Sequence, residues 1–106
     1  MNVLTYRHPH ADTFLAELNA LRVEASRLAE PQIRDRTKRK IMSGLLNILQ
    51  ADPPPAPALC RAIHDTQAKL LKLCRSPRNE FALAREIDLA LAGAGAMVEL
   101  PARDRP

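Results

Sequence analysis

The sequence predicts an all-α fold of about four helices, arranged as two helical hairpins joined by a proline-rich linker. Two observations carry this prediction. Apolar residues recur at intervals of three and four along most of the chain, and the prolines fall where such helices would start and stop. With 106 residues, 46% of them apolar, the chain suits a single helical domain, 1–106, with an extended arm over 1–10 and a disordered tail over 101–106.

Residues 1–10 show no helical period, and Pro9 restricts His8 toward extended geometry, so the arm has Leu4 and Tyr6 as its only sizeable anchors. From Ala11 the positions Ala11, Phe14, Leu18, Leu21, Ala25 and Leu28 repeat at 3,4,3,4,3, which turns one narrow stripe toward a neighbouring helix. The first helix therefore spans about 10–29. Pro31 ends it and can open the second, about 31–51, because a proline in the first turn gives up no helical hydrogen bond. Ile33, Thr37, Ile41, Leu45 and Ile48 cover one face of that helix, and Gly44 in the same sector lets another helix approach closely.

The run Asp52-Pro-Pro-Pro-Ala-Pro57 reads as a stiff linker of polyproline type. A third helix, about 57–75, places Leu59, Ile63, Thr66, Leu70 and Leu73 on one face. Ser76-Pro77 then repeats the stop-and-start signal, with Ser76 as N-cap and Pro77 in the first turn. The fourth helix, about 77–93, is expected to bury Phe81, Ala84, Ile87 and Leu91 and to fray at Gly93-Ala-Gly95, with Met97–Leu100 as a short extended piece. Whether the hairpins stand up and down in one bundle or cross is left open.

The composition argues against several functions. No run approaches the roughly 18 apolar residues of a membrane span, and MNVLTYRHPH lacks the charged-then-apolar order of a signal peptide, so a cytoplasmic protein is expected. Cys60 and Cys74 lie on one expected helix about 21 Å apart, well beyond the roughly 7 Å reach of a disulfide. Cys60 and His64 share a helix face, with His8 and His10 on the arm as remote partners, but structural metal sites bring their ligands in tighter pairs. No phosphate loop, nucleophile elbow or Cys-x-x-Cys occurs. Neither a cofactor, a metal nor an enzymatic activity is expected.

Two features remain. Arg34-Asp-Arg-Thr-Lys-Arg-Lys40 holds five bases and one acid, and Arg36, Arg39 and Lys40 fall on one side of the helix, where a phosphate backbone could lie. Against nucleic-acid binding, only three aromatics exist for base stacking, and the net charge of +4 is spread as 0 over 1–29, +2 over 30–52, +3 over 53–76 and −1 over 77–106. Phe81–Ile87 has the texture of the first helix of a helix-turn-helix, but residues 88–95 are mostly Ala, Leu and Gly and cannot read base edges.

The second feature is apolar surplus. Met42, Leu46 and Leu49 form a strip beside the core face of the second helix, and with Leu15, Val23, Leu4 and Tyr6 they exceed what a narrow four-helix core hides. Surplus of this kind marks an interface with a protein partner or a second copy, unless a less regular packing takes it into the core. Met42, Leu46, Leu49, Leu15 and Tyr6 are the candidate partner-binding residues. Arg36, Arg39 and Lys40 are the candidates for the nucleic-acid alternative.

The length, the basic all-helical layout, the Ala/Leu/Arg-rich composition and the lack of a catalytic constellation resemble the small Gram-negative quorum-sensing antiactivators. The resemblance spans the whole chain as a pattern of helices and carries no residue roles across. It implies a non-enzymatic homodimer that binds the ligand-binding region of a LuxR-type transcription factor and blocks its assembly on DNA.

Overall fold

A computed structural model describes residues 7–76 and 78–98. The expectations for Leu4, Tyr6, Pro77 and the tail 101–106 lie outside these residues. Four α-helices account for most of the described chain, α1 (Ala11–Ala25), α2 (Arg34–Leu49), α3 (Pro57–Arg75) and α4 (Glu80–Val98), with a 3-10 turn over Ser26–Ala29 continuing α1. The fold is all-α.

Each helix packs on two others. α1 lies between α2 and α4, and α3 likewise, whereas α1 and α3 do not pack together and α2 and α4 meet only through side chains at their N-terminal ends. Cross-helix ion pairs set the directions. Lys40 meets Glu24 at 3.0 Å while His10 reaches Asp52, so α1 and α2 run antiparallel. Arg22 meets Asp88 and Arg34 meets Glu80, so α4 also runs against α1. The result is a ring of neighbours closed by the first and last helices, with its core on the inward stripe of each.

α1 buries Ala11, Phe14, Leu18, Leu21 and Ala25, and the 3-10 turn adds Leu28. α2 buries Thr37, Ile41, Gly44, Leu45 and Ile48. α3 buries Leu59, Ile63, Thr66 and Leu70, with the Thr66 hydroxyl donating to the Ala62 carbonyl at 2.8 Å so that the core holds no stranded polar group there. Gly44 is needed where it stands: a Cβ would lie 2.6 Å from Glu17 Oε2 and 2.8 Å from Leu21 Cδ2.

The junctions depart from the sequence reading. α2 opens at Arg34, three residues after Pro31, because Pro31–Ile33 forms a turn closed by the Ile33 N–H donating to Glu30 O at 3.1 Å. Arg34 then ties three elements together. Its Nε donates to Leu28 O at 2.8 Å, and its Nη2 stands 3.1 Å from Glu80 Oε2, a charge contact whose angles fall short of a hydrogen bond.

α4 is displaced most. It starts at Glu80 and is capped by Asn79, whose side-chain oxygen accepts the Ala82 N–H at 3.0 Å, so Ser76 is not its cap. It runs through Gly93 and Gly95 to Val98, because buried Ala94 and half-buried Met97 and Val98 hold its end on the core, and Met97-Val98 is helical, not extended. Its buried residues are Leu83, Ile87, Leu91 and Ala94, and Phe81 is 81% exposed. The stripe is turned by about 60° from the expected one at 100° per residue. That rotation brings Leu83 in and keeps Asp88 at the surface, where Arg22 can reach it.

The linker over 51–56 is irregular, and its Asp52–Pro53 bond is cis. The histidines before α1 hold it. His8 Nδ1 accepts the His10 N–H at 2.9 Å, so Nε2 carries the proton and donates to the carbonyls of Pro53 and Pro54 at 2.9 and 3.1 Å. His10 Nε2 donates to Asp52 O at 3.1 Å, and both rings pack against Phe14, His8 tilted with ring centres 4.8 Å apart and His10 edge-on at 6.2 Å.

Candidate protein-binding face

The surplus apolar residues of α2 gather along its border with α3. Met42 and Leu49 are half-buried against the core, and Leu46, on the same side but further out, is 46% exposed. Lys38 and Arg34 lie close enough to Cys74 to act on its thiol, which sets the level of α3 against α2. In an antiparallel pair with Cys74 level with Lys38, the next turn brings Leu71 level with Met42. Leu71 is 51% exposed. Met42, Leu46 and Leu49 on α2 and Leu71 on the neighbouring α3 are thus the apolar side chains left half-buried or exposed near this border.

Sequence reasoning misses Leu71 because, taken along one helix, it is an ordinary neighbour of buried Leu70. It joins the strip only through the pairing of α3 with α2, which no single-helix periodicity contains. Leu15 belongs elsewhere. It precedes Arg22 by seven residues and so shares the side of α1 that meets α4 at Asp88, away from the α2–α3 border. Leu15 is half-buried there, and Val23 stands 70% exposed on the outer side of α1. Tyr6 lies outside the described residues.

Charges frame one end of the strip. Asp35, Arg39 and Arg75 are exposed there, and Lys38 is half-buried. The basic side of α2 is divided. Arg36 and Arg39 are exposed and have no ion pair among the described residues, but Lys40 is held by Glu24, which is itself largely shielded.

The thiols and imidazoles do not converge. Both cysteines are free and half-buried; the Cys60 thiol donates to Pro55 O at 3.5 Å. Burial raises the Cys74 pKa, outweighing the pull of Lys38 and Arg34, so this thiol is held in its protonated, weakly nucleophilic form. His64 points outward from α3, while His8 and His10 are engaged by the linker, and among the described residues no three His, Cys, Asp or Glu side chains come together as a metal site would require. No described helix is long and apolar enough to cross a membrane. What this arrangement offers chemically is an apolar strip with a charged border, suited to burial against another protein. Comparison with family models, curated proteins and solved structures gave no match.

Proposed function

We propose that this protein works by binding other proteins and catalyses no reaction: it pairs with a second copy through the α2–α3 strip, and the dimer binds and blocks a transcription factor. The observation that supports this reading is the exposure of Leu46 and Leu71 on the neighbouring helices α2 and α3, beside half-buried Met42 and Leu49, since apolar surface gathered on so small a chain is the mark of an interface. A LuxR-type quorum-sensing receptor is the transcription factor that the resemblance to antiactivators suggests.

The test begins with light scattering at micromolar concentration, where a mass of about twice the 11.8 kDa monomer is expected. Leu46→Glu should return the monomer mass with helical circular dichroism unchanged, because Leu46 lies beside the core and not in it. A wild-type monomer at high concentration defeats the dimer; unfolding of Leu46→Glu would place Leu46 in the core. For the second half of the reading, the protein should release a LuxR-type receptor from its operator without itself retarding the probe.

The alternative, nucleic-acid binding, draws on Arg36 and Arg39, exposed and without an ion pair among the described residues. It predicts log affinity for duplex DNA falling with log salt at a slope of about −0.9 per phosphate neutralised. The pairing of Lys40 with Glu24 weakens it, because the third member of the expected set is already spent on an internal contact.

A further inference from the structure

The opposite edge of α3 presents a different surface. Two cavities, of about 690 and 410 Å³, lie along the seam between α3 and α4. Both are lined by Asp65 and Lys69, so they adjoin end to end. Along α3 they extend from Ala58 to Ser76, about 27 Å at 1.5 Å per residue. The floor is apolar and mostly small, with Ala62, Leu73, Ala82, Leu83 and Ala94 among its residues.

The charges of this trough do not balance. Lys69 and Glu86 satisfy each other at 3.6 Å in its middle. Lys72 and Arg78 at one end and Arg61 at the other have no ion pair among the described residues, and Asp65 is the single acid set against them. An occupant must therefore bring negative charge to the two ends and apolar side chains to the floor. Gly93, which lines the same trough, has nothing within 4 Å of where its Cβ would be, although a glycine in mid-helix weakens a helix. At Gly44 the corresponding space is filled by α1; at Gly93, as at Gly95 outside the trough, it is open.

We propose that the α3–α4 trough receives an acidic amphipathic helix from a partner protein. A channel between two helices, some five turns long, is the shape into which a third helix packs, with apolar anchors at i, i+3, i+4 and i+7 along the floor. The proposal rests on the reading of the chain as a protein-binding regulator and assigns partner capture to this seam, leaving the α2–α3 strip for self-association.

The test uses the full chain and two designed 18-residue helical peptides, each with Leu and Ala at i, i+3, i+4 and i+7, one with Glu and one with Lys on the flanks and ends. The Glu peptide should bind at least tenfold tighter by fluorescence anisotropy, and its amide shift changes should fall on Ala62, Leu73, Ala82 and Gly93. Substituting Lys72→Glu and Arg78→Glu together, both exposed, should weaken the Glu peptide at least tenfold and reverse the preference. Gly93→Leu should weaken either peptide while helical circular dichroism is kept. Equal affinities, shifts confined to Met42, Leu46 and Leu71, or no binding of either peptide at millimolar concentration would each overturn the proposal. So would a 20-base-pair duplex that shifts the trough residues in place of the Glu peptide. Repeating the titration on Leu46→Glu separates the two readings. A monomer that still binds supports the trough whatever becomes of the dimer, and a dimer that ignores the peptide removes the trough alone.

Discussion

The α1–α2 and α3–α4 seams are both antiparallel and both carry a glycine in mid-helix, yet one is filled and the other is not. At the first, Leu21 and Glu17 occupy the space over Gly44, and Lys40 and Glu24 close the border with an ion pair. At the second, Gly93 faces open space, and cations with no ion pair among the described residues stand at both ends of a trough. The same small residue thus answers two demands. In one place it admits a neighbour that the chain supplies; in the other it borders open space, which the proposed partner helix would fill.

The largest expected effect comes from emptying the filled seam. Leu21→Ala removes a side chain that is 4% exposed and should cost about 2–5 kcal/mol in urea unfolding. Gly44→Ala sets two terms against each other: a gain of about 1 kcal/mol in helix propensity and an overpacking cost of about 1–3 kcal/mol. The Glu17 carboxylate can swing aside, but buried Leu21 cannot, so the cost wins and a net loss of about 1 kcal/mol is expected. Gly93→Ala meets no atom and should show the opposite sign, a gain of about 1 kcal/mol. If both glycine variants moved stability in the same direction, the contrast between the seams would be lost. At the start of α4, Asn79→Ala should cost about 1 kcal/mol through loss of the cap.

The smallest effect belongs to the border of α1 and α4. Arg22 donates to both oxygens of Asp88, at 2.9 and 3.2 Å, and holds that carboxyl below its ordinary pKa. A carboxyl whose folded value is depressed contributes its full stability above the unfolded value of about 3.9 and loses it as pH falls through the folded value. Both side chains are well exposed, so the contribution is slight. In paired urea titrations of the wild type and Asp88→Asn, the small difference at pH 7 should shrink as the pH falls below about 4.

How much of the fold is legible in the sequence depends on how much choice each helix has. α1 is apolar at 3,4,3,4,3, with Leu15 and Val23 as its only large apolar residues off the stripe, so one face clearly outweighs the rest, and all six residues of the stripe are buried. α4 is apolar nearly all round, with Phe81, Ala82, Leu83, Ala84, Leu89, Ala90, Leu91 and Ala92 available, and a stripe can be drawn at several angles. Its true angle is the one that buries Leu83, Ile87, Leu91 and Ala94 against the other helices, which no pattern on α4 alone contains. The same holds for the candidate face. Met42, Leu46 and Leu49 are visible as surplus on one helix, but Leu71 becomes their neighbour only when α3 is set against α2, and Leu15 leaves the group once α1 turns that side to α4. The role of Arg34 is hidden for a similar reason, since its contacts lie on the 3-10 turn before it and on Glu80 far beyond it.

The closing of the ring by its first and last helices has a bearing on how the chain is made. As α1, α2 and the linker emerge, the side of α1 that will meet α4 remains in water, and it stays so until residues 80–98 have been synthesised. Contacts of such long sequence separation form late and slow the final step of folding. The native core can therefore be completed only once α4 is in place against α1 and α3.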